Sequence, residues 1–147
     1  MFIDASAILA ILNEEDLRDE LETQLASQSG RLRVSPLARF EAVVSLARAR
    51  AEAGKSKVEA MRLAEAAVDA FVEALGAREV EISAEIGRAA LEAGRKFGKF
   101  VGHRADLNFG DCFAYACAKT GREPLLYKRA GFPFNDVNDG FEPLSPS

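Results

Sequence analysis

Apolar positions along the chain alternate between two spacings, and the switches between them mark out its elements. Phe2 and Ile3 form a short apolar run, followed from Ala5 by helical spacing through Ile8, Leu9 and Leu12. Segment 16–28 is polar apart from Leu17, Leu21 and Leu25, which predicts a surface helix with one apolar face. Residues 32–35 alternate as a second strand, and Pro36 after Ser35 opens a helix to about residue 53. That helix is expected to bury Leu37, Phe40, Val44 and Ala47. Gly54 punctuates, and 56–75 repeats the pattern with Met61, Ala64, Val68, Phe71 and Leu75, so the pair predicts a helical hairpin that could supply a dimer face. Residues 79–82 read as a third strand, Ser83 as an N-cap, and 84–97 as a helix. A loop over 98–105 follows, then Asn108 caps a helix that is almost wholly apolar or small up to Ala118 and stops near Gly121. A fourth strand is expected over 123–127, a short fifth near Asp136, and a surface tail over 138–147.

Strands that alternate with helices predict an α/β fold, with a mainly parallel sheet of four to five strands flanked by helices. At 147 residues the chain is expected to form one domain over 1–147 with an adequate core. No apolar run approaches the ~20 residues of a membrane span and no leader-like segment is seen, so a cytoplasmic location is expected. The single histidine, His103, excludes a two-histidine nuclease and a histidine-rich zinc site within one chain. Cys112 and Cys117, on different faces of one helix, are expected to be core residues.

The candidate chemistry lies in acids at the ends of apolar elements. Asp4 follows the first strand, the edge at which open parallel sheets bind ligands; an N-cap role is the lesser alternative, and Ser6 could cap the helix instead and leave Asp4 free to point into a site. Asp111 sits in the first turn of the apolar helix, where it gains from the helix dipole but has few neighbours to solvate it. Glu41 flanks an apolar stripe, and a surface pairing with Arg39 or Arg48 is the plainer expectation for it. A net charge of −4 argues against a general nucleic-acid coat, yet cations gather from Arg95 to Arg129, among them Lys119, Arg122 and Lys128. A basic rim beside an acidic centre suits phosphodiester chemistry. A phosphate-accepting receiver domain is disfavoured, because no aspartate ends the second or third predicted strand.

The stretches MFIDASAILAIL, Phe40-Glu41 and LNFGDCFAYACAKTGREPLLYK, in this order, make the chain resemble a PIN-domain protein, specifically a VapC-type toxin ribonuclease. The resemblance implies that Asp4, Glu41 and Asp111 form an acidic cluster for a divalent cation, with Ser6 as a small polar neighbour. Carboxylate oxygens without soft ligands suit Mg²⁺ or Mn²⁺. It also implies RNA cleavage, a VapB-type antitoxin partner and a homodimer. Arg104, Lys128 and Arg129 are candidate RNA contacts. One departure stands out: Gly131 occupies a place where the family usually has an aspartate, while Asp136, the nearest later acid, matches a second family acid and is a further candidate metal ligand. A relative that binds RNA or antitoxin but cleaves poorly is therefore the alternative expectation.

Overall fold

A computed structural model describes residues 1–128. The expected fifth strand, the tail, Arg129, Gly131 and Asp136 lie outside the described residues. Within them, strands β1 (Phe2–Ile3), β2 (Arg33–Val34), β3 (Arg78–Glu79) and β4 (Leu125–Leu126) form one parallel sheet in the order β3-β2-β1-β4. Six helices connect them: α1 (Ala5–Leu12), α2 (Arg18–Ser27), α3 (Pro36–Arg50), α4 (Lys57–Leu75), α5 (Ala84–Phe97) and α6 (Phe109–Gly121).

The strands are short, so packing rather than ladder hydrogen bonds must hold the sheet. Phe2, Ile3, Val34 and Leu126 are essentially sealed from solvent, and each such side chain contributes about 1.5–3 kcal/mol by burial. Register is set by Phe2 opposite Arg33 on one side and Leu125 on the other. At the start of β4, Glu123 receives Arg33 Nη1 at 2.8 Å, tying β2 to β4 across the first strand.

The chain runs outward from β1 to β2 to β3 and then returns to place β4 on the opposite side of β1. Parallel crossovers are right-handed, so this reversal sends the connecting helices to opposite faces. A crevice opens beyond the carboxyl ends of the two strands that flank the reversal. Asp4 follows β1 and Tyr127-Lys128 follow β4, at that crevice.

Three expectations need correction. Helix α3 buries Ala38, Ala42, Val43, Leu46 and Ala47, whereas Phe40 is 63% exposed. Its inward face is turned from the expected stripe, because α3 is held between α1 and α4 and small alanines allow the closer approach. Along α4, Ala64, Val68 and Val72 are buried, while Met61 is exposed and Phe71 and Leu75 only partly covered. The third strand begins at Arg78 instead of Glu79, and both its residues are exposed, as suits an edge strand with little to cover it. The hairpin itself is present, with Ser56 capping α4 and Gly54 at φ 78° in the turn. Cys112 and Cys117 are free and buried, as expected.

Candidate active site

Asp4 performs two tasks that the sequence presents as alternatives. It is the N-cap of α1, and Oδ2 accepts the Ser6 amide at 3.0 Å and the Ser6 hydroxyl at 2.5 Å. Ser6 is therefore the donor to the cap and not the cap itself. The same hydroxyl accepts the Lys128 amide at 2.9 Å, so β4 and the start of α1 share one polar contact. Asp4 is 8% exposed and its carboxyl is pushed above the ordinary range, first by burial and further by Asp111, with the Ser6 hydrogen bonds opposing.

Asp111 also caps. Its amide donates to Asn108 Oδ1 at 2.9 Å and its Oδ2 accepts the Asn108 amide at 3.0 Å, a reciprocal box that fixes the first turn of α6. This anchors the carboxylate at the positive end of the helix and points the turn at the crevice.

Glu41 comes from the middle of α3. Its expected surface pairing is absent, since Arg39 engages Asp69 and Glu79 instead. Among the described residues no ion pair reaches Glu41. Half-buried, its carboxyl is pushed up from 4.5 to about 7, by burial and then by Asp4 and Asp111. The carboxylate lies against the backbone of Gly110, where any Cβ would overlap it.

These acids line one pocket of about 410 Å³, with Ser6, Ser45 and Asn108 also in its wall. Lys128 and Glu15 complete it and pair with each other across it. Of the expected RNA contacts among the described residues, Lys128 is in the wall and Arg104 is exposed on the loop before α6. Sequence reasoning missed Glu15, Ser45 and Gly110. Gly110 had a legible signal, because a glycine within the first turn of an alanine-rich helix gives up about 1 kcal/mol of helix propensity.

Among the described residues, no three His, Cys, Asp or Glu side chains are gathered tightly enough to enclose a metal ion by themselves. The donor set still fits a hard divalent cation. Its donors are all oxygen, carboxylates raise one another's proton affinity, and the pocket has room for the waters such a cation keeps. A larger groove of about 810 Å³ lies between α5 and the start of α6, but its lining is apolar apart from arginines and includes no acid.

A PIN domain profile matches residues 1–131. This chain belongs to the PIN-domain family. Among curated relatives, a VapC ribonuclease of Rhizobium meliloti is 48% identical over 139 residues, covering 92% of this chain and 98% of the relative. A ribonuclease VapC of Mycolicibacterium smegmatis is 34% identical over 137 residues, covering 93% and 97% respectively. The chain is thus a PIN-domain protein of the VapC type. The fold agrees: Mycobacterium tuberculosis VapC20, a sarcin-ricin loop cleaving toxin, superposes with a TM-score of 0.69 at 18% identity, covering 99% of this chain and 98% of that one. A chain of a toxin–antitoxin complex from Klebsiella pneumoniae gives 0.59 at 16% identity, covering 99% and 97%. The parallel sheet and flanking helices of this PIN domain therefore match the fold expected from its sequence.

Proposed function

We propose that this PIN-domain protein is a divalent-metal-dependent endoribonuclease and the toxin of a toxin–antitoxin pair. The observation that carries the proposal is the convergence of Asp4 before α1, Glu41 within α3 and Asp111 in the first turn of α6 on one pocket at the reversal of the sheet. Homology to VapC ribonucleases supports RNA as the substrate.

Asp4 and Asp111 are assigned as direct cation ligands, each held in place by hydrogen bonds to its own cap partners. When bound, Mg²⁺ or Mn²⁺ supplies charge neutralisation at the scissile phosphate and a lowered pKa for the attacking water. Glu41 contributes a third carboxylate, directly or through water, and its proton affinity near neutrality suits it to accept a proton from that water. Ser6 orients Asp4. Lys128, in the pocket wall, is assigned to an RNA phosphate, and Arg104 and Arg129 are further candidate contacts to the RNA backbone.

No helix among the described residues is long and apolar enough to cross a membrane; a cytoplasmic site of action is proposed because the proposed substrate is RNA. The partner is a VapB-type antitoxin that inserts a basic side chain among the acids, replacing the cation's charge. The chain is proposed to act as a homodimer through the hairpin, where Val58 and Leu63 remain 81% and 56% exposed on α4. The second reading, a protein that binds RNA or antitoxin but cleaves weakly, draws on Gly131 in place of the usual acid.

The test is RNA cleavage by the wild type with Mg²⁺ or Mn²⁺, with excess chelator, and by Asp4→Asn and Asp111→Asn. Amide oxygens bind hard cations weakly, so both variants should lose cleavage while remaining folded. Full activity in chelator, or in either variant, overturns the proposal.

A further inference from the structure

Gly110 occupies the second position of α6, between exposed Phe109 and the capping Asp111. In that turn a glycine is not demanded by the backbone, since α6 runs as regular helix through it and Gly110 is not among the glycines with positive φ. An alanine there would be the better helix former. The neighbour, however, leaves no room. A Cβ on Gly110 would overlap both carboxylate oxygens of Glu41 and its Cδ, and no atom of any other residue is closer to that position. Gly94 and Gly87 in α5 show the contrast. A Cβ at Gly94 would make only an ordinary contact at 3.8 Å with Cys112 Sγ, and one at Gly87 would meet nothing within 4 Å.

Resting on the metal-dependent reading above, we propose that Gly110 is a positioning residue: its missing side chain is the seat of the Glu41 carboxylate. The contact joins α3 to α6 and seats the Glu41 carboxylate next to the residue that precedes Asp111. The group that must yield to an added methyl is the far end of a flexible glutamate and not a backbone atom. A substituted helix therefore keeps its fold by turning Glu41 out of the pocket. Stability and site geometry separate at this position, which is what distinguishes a positioning role from a packing role.

The experiment is a double-mutant cycle of Gly110→Ala and Glu41→Ala, with Gly87→Ala as the control. It reads thermal stability without metal, Mn²⁺ affinity by calorimetry, and RNA cleavage. Gly110→Ala should melt no lower than wild type, yet bind Mn²⁺ at least ~10-fold more weakly, in the range set by misplacing one carboxylate near a cation. In the Glu41→Ala background the same change should cost no further Mn²⁺ affinity. Gly87→Ala should leave all functional readouts unchanged. Wild-type Mn²⁺ affinity in folded Gly110→Ala overturns the inference, as does an equal loss in both backgrounds. If Gly110→Ala fails to fold alone but folds with Glu41→Ala, the contact is upheld; if neither folds, the methyl meets something other than Glu41 and the inference is wrong. Should the wild type bind no Mn²⁺ at all, the nuclease proposal fails. The contact is then judged by ¹³C NMR of the Glu41 side chain: a shifted Glu41 resonance in Gly110→Ala upholds it and an unshifted one overturns it.

Discussion

The Ser6 hydroxyl donates to Asp4 Oδ2 at 2.5 Å while accepting the Lys128 amide at 2.9 Å. One small side chain thus orients the buried carboxylate after β1 and ties it to the end of the neighbouring strand. Ser6→Ala removes a hydrogen bond that favours the charged form of Asp4. Mn²⁺ affinity and RNA cleavage should fall about 10–100-fold, the usual effect of losing a partner that orients a ligand. Calorimetry on the folded variant checks this, and unchanged affinity would show that the Asp4 amide contacts suffice.

The acidic pocket should make the metal-free protein less stable as pH rises. Glu41 has a folded-state pKa of about 7 against an ordinary 4.5, so the folded state binds its proton more tightly than the unfolded chain does. The resulting stability is fully present below pH 4.5 and is lost as pH climbs through about 7. Burial of Asp4 acts in the same direction. Melting temperatures measured in chelator should therefore decline across that interval, and Glu41→Gln should flatten the decline. Saturating Mn²⁺ should offset it at neutral pH. A wild-type profile parallel to that of Glu41→Gln would contradict the assignment.

Lys128 pairs with Glu15 across the pocket wall, with side chains 37% and 27% exposed. A pair this open contributes at most about 1 kcal/mol to stability, so its importance lies in charge. Glu15→Gln should leave melting nearly unchanged and tighten RNA binding about 2–10-fold at low salt, by freeing a cation for phosphate. Lys128→Ala should weaken binding without regard to sequence and make it less dependent on salt. Filter binding across a salt series measures both; identical salt slopes would remove Lys128 from the RNA path.

Gly131→Asp places a carboxylate where the family resemblance leads one to expect an acid. If that carboxylate faces the cation, Mn²⁺ affinity should rise by about 10–100-fold, and cleavage with it. Asp136→Asn in each background tells whether the later acid substitutes for it. Equal affinity in wild type and a folded Gly131→Asp variant would mean that position 131 does not reach the site.

Local chemistry was enough to read most of the elements. Asn108 and Ser83 cap their helices as expected, and Ser35 and Ser56 do the same for α3 and α4, because capping depends on a few neighbouring residues. The parallel class followed from alternation, and Asp4 and Asp111 were legible as acids at the ends of apolar elements, whereas Glu41 joined them only through the family resemblance. What alternation cannot carry is the rotation of a helix about its own axis when several faces are partly apolar. Phe40 was expected inside α3 and lies outside it, because the alanine face met α1 and α4 more closely. The role of Glu41 turned on the same rotation: from sequence it had Arg39 within reach, but Arg39 was drawn to Asp69 and Glu79 on other elements. Only the packed fold set Glu41 against Gly110 and joined Ser6 to Lys128, contacts between residues 69 and 122 positions apart. Sequence determined which groups were available and where the capped helices began, though not the start of α2, which has no side-chain cap. The tertiary structure decided which of them share a pocket, since that depends on the order of strands and on close approaches that no local pattern records.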